Sequence, residues 1–461
     1  MIHLNSQQLL QLFPQVENEL AQFAFTSVVI DSRQSTKDSL FVAIRGEHFD
    51  GHEFINKAAE QGAVAAIVDT FQDDSAIPQI VVNDTRLALA QLASFWRKKV
   101  NPVVVAITGS NGKTTVKEML GQILSQQGQT LMTAGNFNNE IGVPLTLFRL
   151  SESDRFAVIE MGANHRQEIA LLVEIAEPDI VYVNNAVAAH LEGFGSLQGV
   201  IEAKGEMYQH CKRTALAVFN NDENSVDYWK SNSAADKQLS FSSKQQADIT
   251  GQSVQLADGL KLTVSYQQQQ FECNLKVFGL HNAQNALAAI TLAIACGVNA
   301  QQACHYLNAF SGVKGRQQFF AGVNESVIID DSYNANPDSL AAAIKVLCAL
   351  DGTPWLALGD MAEIGEQSLQ MHQQAVTEAK DEGVQQFFAL GKMSCQAADV
   401  FAENGFCFDK HDEMAEFLAS RLHRNINLLV KGSRSAGMEK VVEKLTLKAN
   451  PADAGGVNNA V

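Results

Sequence analysis

Positive charge is scarce in this chain. Lys and Arg number 34 against 51 Asp and Glu, a formal net charge of −17. Phosphate backbones select basic surfaces, so the balance argues against a general nucleic-acid binder. A polybasic segment suited to a membrane surface is missing as well. No run approaches the roughly 18 apolar residues of a membrane-crossing helix. The start, Met1 to Phe13, has no basic stretch followed by an apolar core, so no secretory signal is expected. Cysteine is sparse and unpatterned, with seven residues at 211, 273, 296, 304, 348, 395 and 407 and no C-x-x-C. That odd, scattered set argues against a disulfide framework and a zinc site, and predicts reduced, mostly buried thiols of a cytoplasmic protein. Any anionic ligand must then be held by local basic residues and backbone amides.

The rest is ordinary globular material. Hydrophobic residues make up 46% of 461, enough for several cores and, at about 150 residues each, roughly three domains. Residues 23–70 read as strand FTSVVI, polar break DSRQSTKDS, strand LFVAI, a helical segment from Gly51 to Gly62, and strand AVAAIV. A helix from Thr85 to Lys99 runs into Asn101-Pro102, a first boundary. Beyond it VVVAI (103–107) suits a strand buried on both faces. FAVIE (156–160), DIVYVNN (179–185) and LAVFNN (216–221) follow with helix-like stretches between, predicting a mostly parallel sheet. Residues 245–278 alternate around Asp258-Gly259 and predict an antiparallel hairpin appendage, with the glutamines at 267–270 as its polar turn. After a second boundary near Ser311, VIIDD, WLALGD, FFALG and NLLVKG form a second doubly wound unit. There is no internal repeat. The predicted fold is α/β, with units at 1–100, 101–311 and 312–447 and a small polar tail, 448–461, expected to be disordered.

The sharpest local signal is Gly109-Ser110-Asn111-Gly112-Lys113-Thr114-Thr115, between a buried strand and a helical pattern through Leu124. Glycines let the backbone turn so that N–H groups converge on phosphate oxygens, and the helix start adds partial positive charge. Lys113 can pair with β- and γ-phosphates and the Thr114 hydroxyl can meet Mg²⁺. The spacing departs from strict G-x-x-x-x-G-K-[ST], because Ile107 stands five before Gly112. Glu160 ends FAVIE, where a Mg²⁺ ligand belongs, although a solvated strand-end acid fits too. By residue type alone His190, in AVAAHLEGFGS, reads as a structural histidine. Lys204, in EAKGEMY, reads as a solvated helix lysine.

Taken in order, TGSNGKTT, the strand ending in Glu160, HLEGFGS, EAKGE, HNAQNALAA and DDSYNANP resemble the Mur ligases of peptidoglycan precursor synthesis, from Asp31 to about Arg434. The resemblance implies an N-terminal uridine-nucleotide domain, a central ATPase domain and a C-terminal Rossmann-like domain. It gives the UDP-sugar site to Asp31, Ser32 and Arg33, continued by Arg45, Gly46, Asp50, Gly51 and His52; a surface turn capped by Asp31 is the bland reading. Asn136, Asn138 and Asn139 would face nucleotide and acceptor, or simply form turns. Lys204 matches the family lysine that becomes carbamylated, a Mg²⁺ ligand beside Glu160 and His190, with two ions implied. Asn282 and Asn285 would meet adenine, or cap their helix. Arg316 would reach the ATP phosphates and Asp331 the ribose. Tyr333, Asn334 and Asn336 would neighbour the incoming dipeptide. Lys431 and Arg434 would serve substrate carboxylates.

Diaminopimelate-adding relatives carry Asp-Asn-Pro-Arg, absent here. DDSYNANP instead favours the branch that joins D-alanyl-D-alanine to UDP-N-acetylmuramoyl-tripeptide through an acyl phosphate, at the expense of ATP. A sister ligase adding another amino acid is the alternative, and a phosphate-loop regulatory module the more distant one. The expected enzyme is a cytoplasmic monomer without nucleic-acid or membrane partners.

Overall fold

The computed structural model describes residues 1–14, 22–188 and 191–447. Three main sheets follow one another along the chain. Ser27–Val29, Ser39–Val42, Ala63–Val68 and Gln79–Val81 form a four-stranded parallel sheet. The second sheet has nine strands, in the order Gln269–Leu275, Gly259–Tyr266, Ile249–Leu256, Lys237–Ser242, Leu216–Asn220, Ile180–Val183, Val103–Thr108, Phe156–Glu160 and Thr130–Met132. The third has six, with Gln318–Ala321 antiparallel at one edge of five parallel strands.

Two predicted elements are corrected. FTSVVI is not one strand: Ala24–Phe25 pairs antiparallel with Leu4–Asn5, and only Ser27–Val29 enters the four-stranded sheet. Burial of Phe25 beside Leu4, Leu9 and Phe13 draws its first residues toward the N-terminal helix Ser6–Leu12. The appendage is a three-stranded meander rather than a hairpin. Its second turn is Gln267-Gln268 alone, both at positive φ (48° and 64°), while Gln269 and Gln270 already belong to the third strand. Such a turn normally shows itself through Asn or Gly; with Gln there, the sequence carries no turn signal.

The helix Thr85–Val100 links the first two sheets more tightly than the Asn101-Pro102 boundary suggests. Leu40, Ile67 and Ile80 of the small sheet, Leu89 and Trp96 of this helix, and Val104 and Ile159 of the large sheet belong to one continuous core. Trp96 donates its indole N–H to Leu150 O (3.1 Å), and the buried Arg97 donates to Ala176 O (2.8 Å) and Glu177 O (2.9 Å). All seven cysteines are unpaired; Cys211, Cys273 and Cys304 are buried and Cys407 is exposed. Among the described residues no helix is long and apolar enough to cross a membrane.

This topology brings the C-terminal ends of adjacent parallel strands together. Val103–Thr108 leads into the glycine loop, Phe156–Glu160 ends on Glu160, and Asn184 and Asn220 stand at the next two strand ends. In open α/β sheets such strand ends form the ligand crevice. Asp331 and Lys431, paired in register at the ends of two strands of the third sheet, line the same crevice from across it.

Candidate active site

The glycine loop opens the helix Lys113–Ser125, whose first residue follows Gly112 at φ 76° with no side chain capping the start. A Cβ on Gly112 would lie 2.4 Å from Asn184 Nδ2 and 2.6 Å from Asn285 Oδ1, so glycine is required both by its backbone and by its neighbours. Within the loop, Ser110 N–H donates to Asn185 O (3.0 Å) and Asn111 N–H to Asn185 Oδ1 (2.8 Å). The first-turn N–H groups after Gly112 lack intrahelical acceptors and remain for an anion. Lys113 Nζ donates to Gly109 O (2.6 Å). Burial, more than the nearby Arg316, lowers its pKa, and Glu160 opposes the fall.

Glu160 sits beside the loop. Its Oε2 accepts from Thr114 Oγ1 (3.0 Å), its Oε1 from Asn138 Nδ2 (2.9 Å), and its own N–H donates to Thr133 Oγ1 (3.0 Å). Asn138 is thus bound to the strand-end acid, whereas Asn139 forms a turn, its Oδ1 accepting from Gly142 N (2.8 Å). Lys204, on the helix Leu197–Gln209, is 1% exposed, so the solvated-lysine reading fails. Its Nζ lies 5.5 Å from the Phe194 ring centroid. Burial, then the charge of Lys113, pushes its pKa down to about 7 against the pull of Glu206 and Glu168. His190 lies outside the described residues.

A 920 Å³ cleft holds Ser110–Thr114, Glu160 and Lys204. The third sheet's side contributes Arg316, Tyr333, Asn334, Asn336 and Arg434. Arg316 and Arg434 lie over the Tyr333 ring at 4.2 and 5.9 Å from its centroid. Asn336 caps the helix Pro337–Cys348 and donates from Nδ2 to Asn111 Oδ1 (2.8 Å), a direct link from the third sheet to the glycine loop.

A second, 180 Å³ cavity adjoins the loop and is lined by Asn184, Asn185, Asn282, Asn285, Arg316 and Asp331, among others. Neither Asn282 nor Asn285 caps its helix, which starts after Gly279 without a side-chain cap. They are buried links of an amide chain instead. Asn282 donates to Phe278 O (2.9 Å), Asn285 to Asn282 Oδ1 (3.3 Å), and Asn184 to Asn285 Oδ1 (3.1 Å) and to Asn111 O (2.8 Å). Asn184 and Asn185 are not singled out by the sequence analysis; an Asn pair closing a strand next to a glycine loop is the signal that could have found them. Lys431 is corrected: its side chain is 2% exposed and its Nζ is committed to Asp331 Oδ2 (2.5 Å) and Asn334 O (3.0 Å). It is therefore not a free partner for a substrate carboxylate.

The N-terminal candidates fall at the C-terminal ends of the small sheet. Asp31 caps the 3₁₀ turn Ser32–Gln34 and pairs with Arg33 (2.7 Å), as in a surface turn; that hydrogen bond lowers the Asp31 pKa. Arg45 is ion-paired with Asp50 and with Asp69 (2.9 Å), and holds the Asp69 carboxyl below its usual range. His52 is buried between them, Nδ1 against Asp50 Oδ1 (2.6 Å) while Nε2 accepts from Asp69 N–H (3.1 Å). Gly51 lets this loop pass against the Ile44 backbone, where a Cβ would sit 2.7 Å from Ile44 N. Arg86 joins the loop to Asn139's neighbour, donating to Arg45 O (3.0 Å) and Glu140 Oε1 (3.3 Å).

Comparison with known proteins gives the family. Residues 24–127 match the family model "Mur ligase family, catalytic domain", 107–293 the "Mur ligase middle domain" and 315–434 the "Mur ligase, glutamate ligase domain". The UDP-N-acetylmuramoyl-tripeptide--D-alanyl-D-alanine ligase of Haemophilus influenzae is 40% identical over 426 residues, 90% of this chain and 92% of that one. A crystal structure of MurF from Acinetobacter baumannii superposes with a TM-score of 0.89 at 33% identity, covering 96% of this chain and 98% of that one. The MurF ligase of Thermotoga maritima, in complex with ADP, gives 0.81 at 26% identity over 91% and 96%. On this identity and coverage the chain belongs to the Mur ligase family.

Proposed function

We propose that this chain joins D-alanyl-D-alanine to UDP-N-acetylmuramoyl-tripeptide, using ATP, in peptidoglycan precursor synthesis. The relatives' activity points there. The observation that carries the reading is one cleft holding the glycine loop, Lys113, Glu160 and Lys204 from one sheet with Arg316, Tyr333 and Arg434 from the next. In this reading residues 1–100 bind the UDP-sugar through the Asp31–Arg33 turn and the Arg45–His52 loop, 101–311 bind ATP, and 312–447 bring the dipeptide to the cleft with Tyr333, Asn334 and Asn336.

The tripeptide's terminal carboxylate attacks the γ-phosphate, forming an acyl phosphate and releasing ADP. The dipeptide's amine then attacks the acyl carbon and phosphate leaves. Carboxylate and triphosphate repel each other, so the first step depends on fixed positive groups aimed at the phosphates. Lys113, Arg316 and the uncapped N–H groups of Lys113–Ser125 supply them. The Thr114 hydroxyl and Glu160 carboxylate, 3.0 Å apart, are hard oxygen donors of the kind Mg²⁺ takes. Mg²⁺ bound there would neutralise phosphate charge. Lys204 lines the same cleft, and its buried amine is suited to carbamylation, which would add a further oxygen donor. The Asn336–Asn111 hydrogen bond joins the third sheet's side to the loop, and closing the cleft about this contact would keep water from an acyl phosphate.

Phosphate release is the test. It should require ATP, UDP-N-acetylmuramoyl-tripeptide and D-alanyl-D-alanine together. Release that persists without the UDP-peptide, or that prefers a single amino acid over the dipeptide, overturns the reading.

A further inference from the structure

The steps above give no role to Glu223, an acid of the nucleotide cavity. Glu223 follows the strand Leu216–Asn220 and lines the 180 Å³ cavity together with Asn220 and Asn282. Its strand is two places from the one bearing the glycine loop, about 10 Å at 4.7–4.9 Å per strand. A nucleoside whose phosphates sit on the loop extends over that kind of distance. Asp222, the preceding acid, is engaged elsewhere by Ser243 N–H (2.7 Å) and by the Ser242 and Ser243 hydroxyls. Asn282, Asn285 and Asn184 donate to Phe278 O and to one another, so these amides build the wall of the cavity. Among the described residues Glu223 has no side-chain hydrogen bond to divert it. Burial lifts its pKa to about 7, with the Ala186 N–H pulling the other way, so above that pH the ionised carboxylate only accepts, and the affinities below are compared at pH 8.5.

We propose that Glu223 reads the nucleotide base, its carboxyl accepting from an exocyclic amine and disfavouring an exocyclic carbonyl in the same place. The proposal rests on this cavity being the ATP site. A cavity built to hydrogen-bond a group rejects the analogue lacking it, because the protein's own polar atom is left unmatched. Adenine carries the amine and hypoxanthine the carbonyl, on otherwise matching bases.

The test measures ADP and IDP affinities by calorimetry in the full chain without other substrates, so that it stands apart from the ligase assay. KM for ATP and ITP is measured alongside. Wild type should favour ADP by about tenfold or more. In Glu223→Gln, whose amide can accept from an amine or donate to a carbonyl, the preference should shrink to about threefold or less, with ADP affinity largely kept. Glu223→Ala should lose about tenfold in ADP affinity and the preference with it. A wild-type ADP-to-IDP ratio near one overturns the proposal without any variant. So does a preference that both variants retain. Failure of the ligase reading would appear elsewhere, as phosphate release independent of the UDP-peptide.

Discussion

Replacing Lys204 by Ala should silence phosphate release and leave an enzyme that short carboxylic acids partly restore. The reason lies in the state of the amine. Lys204 Nζ lines the cleft, has no hydrogen bond or ion pair among the described residues, and has its pKa pushed down to about 7 by burial and by Lys113. At pH 8 a lysine with an ordinary pKa is neutral in only about one molecule in 300, whereas a pKa near 7 makes it about nine-tenths neutral. Only the neutral amine adds to carbon dioxide, so the site gains over a hundredfold in readiness relative to a surface lysine. Carbon-13 NMR after exposure to labelled bicarbonate should show one carbamate signal at pH 8. It should fall as pH drops through about 7, where the ammonium returns, and be absent in Lys204→Ala. The same pKa carries a stability cost of known sign. Between pH 7 and 10.5 the unfolded chain binds more protons than the folded one, so this group's contribution becomes more favourable as pH rises. Lys204→Met should therefore gain most over wild type below pH 7, by roughly 5 kcal/mol at most, and lose that advantage by pH 10. Near-normal turnover in Lys204→Ala, or no carbamate signal at pH 8, would refute the reasoning.

Other perturbations follow from the same contacts. Lys113→Ala should lower kcat by about 10³-fold or more in the phosphate-release assay, since it removes a charge fixed beside the transferring phosphate. Gly112→Ala should raise KM for ATP at least about tenfold, because strain of ~1–2 kcal/mol at φ 76° adds to contacts with Asn184 and Asn285. Asp331→Asn should cost about 3–5 kcal/mol in denaturant melts by leaving the Lys431 ammonium buried without its partner, and Asp331→Asn with Lys431→Met should recover most of it.

Much of the frame was legible because buried parallel strands read as unbroken apolar runs. Val103–Thr108, Phe156–Glu160 and Ile426–Lys431 show this, each fully or almost fully buried. Edge elements were not. Thr130–Met132 and Gly405–Phe408, at the edges of their sheets, are only 3 and 4 residues long and partly exposed, so they leave no long apolar run to read. The glycine loop and Glu160 announced themselves locally, through a turn that needs glycine and an acid closing a strand. Lys204 did not: EAKGE is indistinguishable from a solvated helix face until Phe194 and the glycine loop are packed beside it. The resemblance flagged it and the local pattern could not. Asp331 and Lys431 illustrate the same limit, since each looks free along the chain and they neutralise each other only across two neighbouring strands.

An overall charge of −17 says little about how this cleft holds a triphosphate. Even its cations are restrained: Lys431 is neutralised by Asp331, Lys204 is pushed to about 7, and burial lowers Lys113. The attraction for the phosphates comes from Lys113, from dipoles that cost no titration at the uncapped helix start it opens, and from Arg316, whose guanidinium is parked against the Tyr333 ring on the opposite sheet. Backbone amides belong to the large sheet and Arg316 to the third. Full charge compensation therefore exists only when the two strand-end surfaces meet, and the Asn336–Asn111 bond makes that meeting a direct property of the loop itself. Chemistry and closure are in this way one event: the geometry that stabilises the transferring phosphate is the geometry that shuts out water.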